Sequence, residues 1–202
     1  VTPPPWFGTA LDGYPLTKAR LGAVAGEVGR RPDLVLFFLQ WPADPGAGFF
    51  PGGTLDAIRE IGAVPCLTWE PMVLEDGGER AVPWEQILGG GYDAYLVSFA
   101  EQAAAWGRPL VIRPAHEMNL ARYHWGTTRE AYGPRSPGIY RRLFRYIVGV
   151  FDEAGAGNVL WAFCPNAESV PGASWNRASS YYPGDAYVAI LGMDAYNWGR
   201  TQ

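Results

Sequence analysis

Six short apolar runs recur along this chain, and most of them are unbroken rather than alternating. They span Phe7–Leu11, Leu34–Trp41, Val64–Trp69, Leu110–Arg113, Val159–Phe163 and Tyr187–Met193. An unbroken apolar run of strand length belongs to a strand covered on both faces, the usual condition of a parallel sheet. Helical stripes lie between the runs. Tyr92, Tyr95, Leu96, Phe99 and Ala103 share one helix face, and Tyr140, Leu143, Phe144, Ile147 and Phe151 share another. Ser136-Pro137 can open the second helix and Gly155 can end it. Further helices are expected over Leu16–Val28 and Thr54–Ile61. Segments Asp44–Gly53, Glu75–Trp84 and Asn166–Asp185 read as long loops rich in Gly, Pro and Ser. Strand and helix alternate, which selects an α/β architecture with a parallel sheet. A closed barrel of this type has eight strands and typically about 250 residues. The expectation is therefore a (β/α)8 TIM-barrel type fold with about six of its eight β/α units in this chain. No repeat or internal linker divides the 202 residues. They read as one domain, 1–202, incomplete at the C-terminus, with a stiff, linker-like Val1-Thr-Pro-Pro-Pro5 at its start.

Composition removes several function classes. Apolar residues make up 48% of the chain, too many for a disordered segment. A net charge of -4 and a pI near 5.2 argue against a nucleic-acid footprint, which would need a basic face. No apolar stretch is long enough to span a membrane. Cys66 and Cys164 are too few for a disulfide scaffold and sit in apolar runs, so they read as buried free thiols. Nine Trp, eleven Tyr and nine Phe exceed what one motif requires, and flat aromatic rings are what sugar faces stack on.

Chemistry-bearing residues gather where the runs end. The second run ends Gln40-Trp41, and the third ends Thr68-Trp69-Glu70-Pro71. The fourth ends Arg113-Pro-Ala-His116-Glu117-Met-Asn119, with Tyr123, His124 and Trp125 close behind. The fifth ends Cys164-Pro165-Asn166 and the sixth Asp194-Ala-Tyr196-Asn197-Trp198. Barrels of this kind carry their catalytic groups at this end of several strands. Carboxyl groups flanked by aromatic residues are the equipment for cleaving a glycosidic bond. His116 and His124 are the only histidines, and their spacing about Glu117 is not that of the helical zinc motif, so no metal and no cofactor is expected. Glu168, in a Gly/Ser-rich loop, is expected to be solvated. A plain ion pair between Glu117 and Arg113 would explain neither the histidine nor the aromatics.

Arg113-Pro-Ala-His-Glu-Met-Asn119 followed by Trp125-Gly126 resembles the acid/base motif of glycoside hydrolase family 26. Trp69-Glu70-Pro71 and Asp194-Ala-Tyr196-Asn197 resemble that family too, so the likeness covers most of the chain. The family includes β-mannanases and mixed-linkage β-glucanases. The resemblance implies a (β/α)8 barrel and a retaining mechanism with two glutamates. It makes Glu117 the acid/base, with His116 binding sugar or orienting that acid. Arg113 would hold the nucleophile, Tyr196 would hydrogen-bond it, and Asp194 and Asn119 would support the site. Trp69, Trp125 and Trp198 would be sugar platforms, and Glu70 would bind substrate or cap a loop. Two departures stand out. Five positions after the acid the family usually has an aromatic residue, and here it is Arg122. The family's nucleophile is a glutamate on strand 7, and no residue before Gln202 matches it.

The resemblance thus implies an endo-acting β-glycanase taking a poly- or oligosaccharide, with β-1,4-mannan preferred and mixed-linkage β-glucan next. The enzyme would be secreted, its signal peptide lying outside this chain, and monomeric. The segment alone would be inactive. Two alternatives stay open. One is a non-hydrolytic β-glycan-binding protein on the same scaffold. The other is an inverting pair of Glu117 with Glu70 or Asp194, which requires carboxyl groups roughly 6.5–9.5 Å apart.

Overall fold

The structure is a computed structural model that describes residues 5–126, 132–197 and 199. Eight strands are formed among the described residues: β1 Gly8–Leu11, β2 Leu34–Gln40, β3 Val64–Glu70, β4 Met72–Glu75, β5 Gly78–Ala81, β6 Leu110–Pro114, β7 Val159–Phe163 and β8 Ile190–Leu191. The helices are α1 Lys18–Val28, α2 Gly52–Glu60, α3 Trp84–Leu88, α4 Asp93–Trp106 and α5 Ser136–Glu153. Six strands make one parallel sheet in the order β1-β2-β3-β6-β7-β8. Each neighbour pair is joined through a helix or a long crossover, so the expected α/β barrel-type fold is the one observed. The strand order follows the chain without a switch, as in a barrel wall rather than a doubly wound sheet.

The outward face of the sheet meets the helices and forms the main core. Val35, Phe37 and Leu39 of β2 are buried there, while Leu34, Leu36, Phe38 and Gln40 on the opposite face are half-buried. That alternation follows from the two-residue period of a strand. Leu67 and Trp69 of β3 point the same outward way and pack with Phe99 of α4 and Phe151 of α5. The inward face carries a smaller apolar cluster of Cys66, Val111 and Ala162, flanked by Leu34, Leu36, Val64 and Ile190. Each fully buried Leu or Phe of the outer core contributes about 1.5–3 kcal/mol relative to exposure.

The helices begin and end where local chemistry sets them. Thr17 caps α1, its hydroxyl accepting from the Arg20 amide, and Gly29 ends it in the left-handed region. Pro137 lies in the first turn of α5, and Gly155 follows its last residues with φ 73°. Both cysteines are free and buried, as expected.

Three elements differ from the sequence expectation, one of them α3 at Trp84–Leu88, a short helix where none was expected. The segment Glu75–Trp84 is not a loop throughout, because β4 and β5 pair as an antiparallel hairpin closed by Glu75 and Gly78. Asp76 and Gly77 at its tip both have positive φ, 50° and 75°, the requirement of a tight two-residue hairpin turn. The sixth strand was expected over Tyr187–Met193 but pairs regularly only at Ile190–Leu191. Tyr187 turns back to bond the Gly184 carbonyl, which removes the start of the run from the ladder. The Ala189, Gly192 and Asp194 amides still bond Trp161, Phe163 and Pro165, so an irregular ladder carries the chain to Asp194.

Candidate functional site

The carboxyl ends of β2, β3, β6 and β7 bring the polar residues together. β6 stops at Pro114, and the next three residues make an abrupt corner. Ala115 and Glu117 both lie in the left-handed region, φ 49° and 50°, on either side of His116. Non-glycine residues there cost of order 1–3 kcal/mol each, so neighbours must hold them. The Ala115 amide donates to Trp69 O at 3.0 Å and the Glu117 amide to Cys164 O at 2.9 Å. The corner is thus tied to β3 on one side and to the end of β7 on the other.

Glu117 is 4% exposed, and its Oε1 accepts a 2.8 Å hydrogen bond from Asn166 Nδ2. Asn166 lies three residues beyond β7 and is bridged to Asp194. Asn119 is fully buried beneath this pair. It donates to the carbonyls of Asn166 and Glu168 and accepts from the Asn166 amide, all within 2.7–2.9 Å. Its own carbonyl receives the Val170 amide and Asn176 Nδ2. Asn119 therefore staples the β6 corner to the loop after β7. Glu168 itself is exposed.

Arg113 is 6% exposed on the inward face. Its Nε donates to Thr68 Oγ1 at 2.6 Å, and its Nη1 reaches both Asp194 oxygens at 2.7 and 2.8 Å and Cys164 Sγ at 3.2 Å. Burial works against the guanidinium charge, and Asp194 more than offsets it, leaving Arg113 more firmly protonated than usual. The ion-pair partner of Arg113 is thus Asp194 rather than Glu117. Cys164 is pushed up to about 12 by burial, against the pull of Arg113, so it stays a thiol.

His116 is 3% exposed, and burial first, then Arg113 and Arg122, lowers it to about 3. The imidazole is neutral. Its Nε2 lies 3.0 Å from Tyr123 Oη, and its carbonyl accepts Trp125 Nε1 at 2.7 Å. Tyr123 stacks on Trp125 with ring centroids 4.6 Å apart and planes 7° from parallel. The Arg122 guanidinium covers Tyr123 at 5.0 Å. Burial raises the Tyr123 hydroxyl to about 12, helped by the nearby Glu117 charge.

A cavity of about 270 Å³ opens against these groups, lined among others by Phe38, Arg113, His116, Glu117, Tyr123, Asp194 and Tyr196. Five of the residues singled out in the sequence therefore share one wall: Arg113, His116, Glu117, Asp194 and Tyr196. Tyr196 is 68% exposed at the sheet edge. Glu70 is apart from this wall. It is 4% exposed, directly opposite Gln40 in register, and accepts Gln40 Nε2 at 2.5 Å. Burial raises its carboxyl above the usual range, and the Gln40 hydrogen bond opposes that shift.

Two expected sugar platforms are corrected. Trp69 is fully buried on the outward face of β3, its Nε1 donating to Tyr95 Oη at 2.9 Å, so no sugar reaches it. The two-residue period that turns Thr68 and Glu70 inward turns Trp69 towards the helices. Trp125 is 3% exposed and serves as a buttress behind Tyr123. Trp198 lies outside the described residues. Sequence reasoning passed over Phe38, and it noted Tyr123 and Asn166 at the run ends without giving either a role in the site. The signal for Asn166 was present, since it directly follows the Cys164-Pro165 end of the fifth run. No group of three or more His, Cys, Asp or Glu side chains is placed to hold a metal ion among the described residues. No described helix is long and apolar enough to cross a membrane.

A parallel β/α sheet with a buried carboxyl, a neutral imidazole and a paired guanidinium at the carboxyl ends of its strands has the build of a barrel-type enzyme domain. Residues 93–201 match the model of Glycosyl hydrolase family 26, and the chain belongs to that family. Endoglucanase H of Acetivibrio thermocellus is 34% identical over 188 residues, which is 86% of this chain and 18% of that protein. A mannan endo-1,4-beta-mannosidase of Bacillus subtilis is 30% identical over 97 residues, 45% of this chain and 24% of that protein. Among solved structures, a Bacillus subtilis mannanase superposes with a TM-score of 0.68 at 19% identity, covering 95% of this chain and 64% of that one. A Cellulomonas fimi endo-beta-1,4-mannanase gives 0.67 at 24% identity, covering 95% of this chain and 48% of that one. These superpositions speak to the fold. The chain spans less than two thirds of the length of each of these relatives.

Proposed function

We propose that this chain is the larger part of an endo-acting β-glycanase domain of a secreted, monomeric enzyme, with β-1,4-mannan as substrate and mixed-linkage β-glucan next. The observation that carries the reading is Glu117: a carboxyl buried in a cavity wall, set by a left-handed corner and gripped by Asn166. Glu117 protonates the leaving glycosidic oxygen, then removes a proton from water in the second step. His116 orients this corner through Tyr123 and Trp125. Tyr123 and Phe38 offer aromatic surface to the sugar. The Arg113–Asp194 pair sets the floor of the site, and Tyr196 faces the nucleophile. That nucleophile comes from a β/α unit beyond the six of this chain, so the 202-residue segment alone is inactive. The relatives named as mannosidases favour mannan, and the one named endoglucanase keeps β-glucan next in line.

The test measures reducing-sugar release from β-mannan and mixed-linkage β-glucan. The segment alone is expected to release none. A longer protein containing it is expected to be active and to lose about 10²–10⁴-fold with Glu117→Gln, the usual contribution of a general acid. Hydrolysis by the segment alone, abolished by Glu117→Gln, would overturn the external nucleophile in favour of an inverting partner within the chain.

A further inference from the structure

A second cavity, larger than the one beside Glu117, lies elsewhere on the chain. A space of about 1070 Å³ lies between α3, the first turns of α5 and the short turns at Gly133–Arg135, Ser174–Asn176 and Ala178–Tyr181. It shares no lining residue with the Glu117 cavity. Its volume is at the upper end of ordinary ligand sites, enough for several sugar rings. Among the described residues, Arg141, Arg142 and Arg145 of α5 line it, with Arg135 at the turn before, and the one carboxyl among those lining residues is Glu85. Glu85 accepts the Tyr132 hydroxyl at 2.8 Å. In a chain of net charge -4, so local an excess of positive charge marks an anion site.

The arginines are arranged rather than merely present. Arg141 donates to the Ser180 carbonyl. Arg145 donates through Nε to the Pro183 carbonyl at 2.7 Å, and its guanidinium sits 5.2 Å over the Tyr187 ring. Side chains anchored by one edge lose less freedom when the rest of the fork binds a ligand. A planar fork matches a carboxylate with two parallel hydrogen bonds. The half-buried ring of Trp175 lines the same cavity and offers a flat apolar face.

We propose that this cavity is a second carbohydrate site, selective for an acidic oligosaccharide whose uronate carboxyl pairs with the arginine cluster while its ring stacks on Trp175. The sugar half rests on the glycan-acting reading above; the anionic half stands on the arginines alone. The site takes an acidic side group of a glycan or a free acidic oligosaccharide by the same contacts.

The test is calorimetric titration of the 202-residue chain with a glucuronate trisaccharide, a neutral mannotriose and sodium sulfate. The uronate is expected to bind at least about tenfold more tightly than mannotriose, the minimum for one charged hydrogen bond. Its affinity is expected to fall as salt rises to about 0.3 M. Arg142 is exposed and Arg142→Glu is expected to weaken the uronate about tenfold with an unchanged far-ultraviolet dichroism spectrum. Trp175→Ala weakens uronate but not sulfate. Glu117→Gln leaves the uronate affinity unchanged, which separates this site from the hydrolytic one. Equal affinity for uronate and mannotriose, no binding of uronate, or an unaltered affinity in a folded Arg142→Glu chain would overturn the proposal. Sulfate binding as tightly as the uronate overturns its sugar half. Uronate binding by a chain whose longer parent cleaves no glycan sinks the hydrolase reading and leaves the anion site standing.

Discussion

Lowering the pH from 7 to 4 is expected to destabilise this chain through His116. The imidazole is 3% exposed, and burial, with Arg113 and Arg122 nearby, lowers it to about 3 in the folded chain. In the unfolded chain it titrates at its ordinary value near 6.5. Between those values the unfolded state holds the extra proton, so stability rises with pH across the window and is lost as pH falls. At pH 4 the shortfall of 2.5 units from 6.5 corresponds to about 3.4 kcal/mol, a large share of a typical folding free energy. The assay is urea unfolding followed by tryptophan fluorescence at pH 7 and pH 4, for the native chain and for His116→Gln. The glutamine cannot titrate. The native chain is therefore expected to lose about 3 kcal/mol more than the variant between the two pH values. His116→Gln is destabilising at pH 7, where the neutral imidazole and its Tyr123 contact are intact, and the two chains converge as pH falls. Parallel losses in the two chains would refute a buried, neutral His116.

Two other outcomes follow from the packing. Trp69→Ala is expected to cost about 3–5 kcal/mol in urea unfolding, the range for deleting a fully buried large side chain, because Trp69 is 0% exposed among Trp41, Tyr95, Phe99 and Phe151. Asn166→Ala removes the donor that holds Glu117 Oε1 in place, so a longer active protein is expected to lose roughly tenfold in kcat with little change in KM. An unchanged kcat in the folded variant would show that Asn166 only shapes the loop.

The fold was largely legible because its signals are local and strong. Runs such as Leu34–Leu39 have no polar break, and strands covered on both faces leave few alternatives. The β4–β5 hairpin was missed although Asp76-Gly77 is a hairpin dipeptide, because the flanking Glu75, Glu79 and Arg80 hide any apolar alternation. Arg113, His116, Glu117, Asp194 and Tyr196 were found because each lies within a few residues of a strand end. The aromatics were misjudged for a different reason. Trp69 and Glu70 are neighbours in sequence but face opposite sides of the sheet, and only one of those sides meets the cavity. Tyr123 and Trp125 differ only in which of two stacked rings is outermost, a matter of loop path rather than composition. Asn166 acts on a residue 49 positions away, a relation that no local pattern carries.

The Asn119 staple has a consequence in time as well as in space. The carboxyl of Glu117 is held by a residue after β7, and Asn119 ties the same corner to positions 166–176. None of those partners has yet been made when the ribosome has finished β6. Contacts across about fifty residues are slow to close, so they form late. During synthesis, the wall and its helices can assemble around a glutamate that is not yet aimed. The acid acquires its position only when the stretch after β7 arrives, and the corner at Ala115 and Glu117 waits, unsecured on that side, until then.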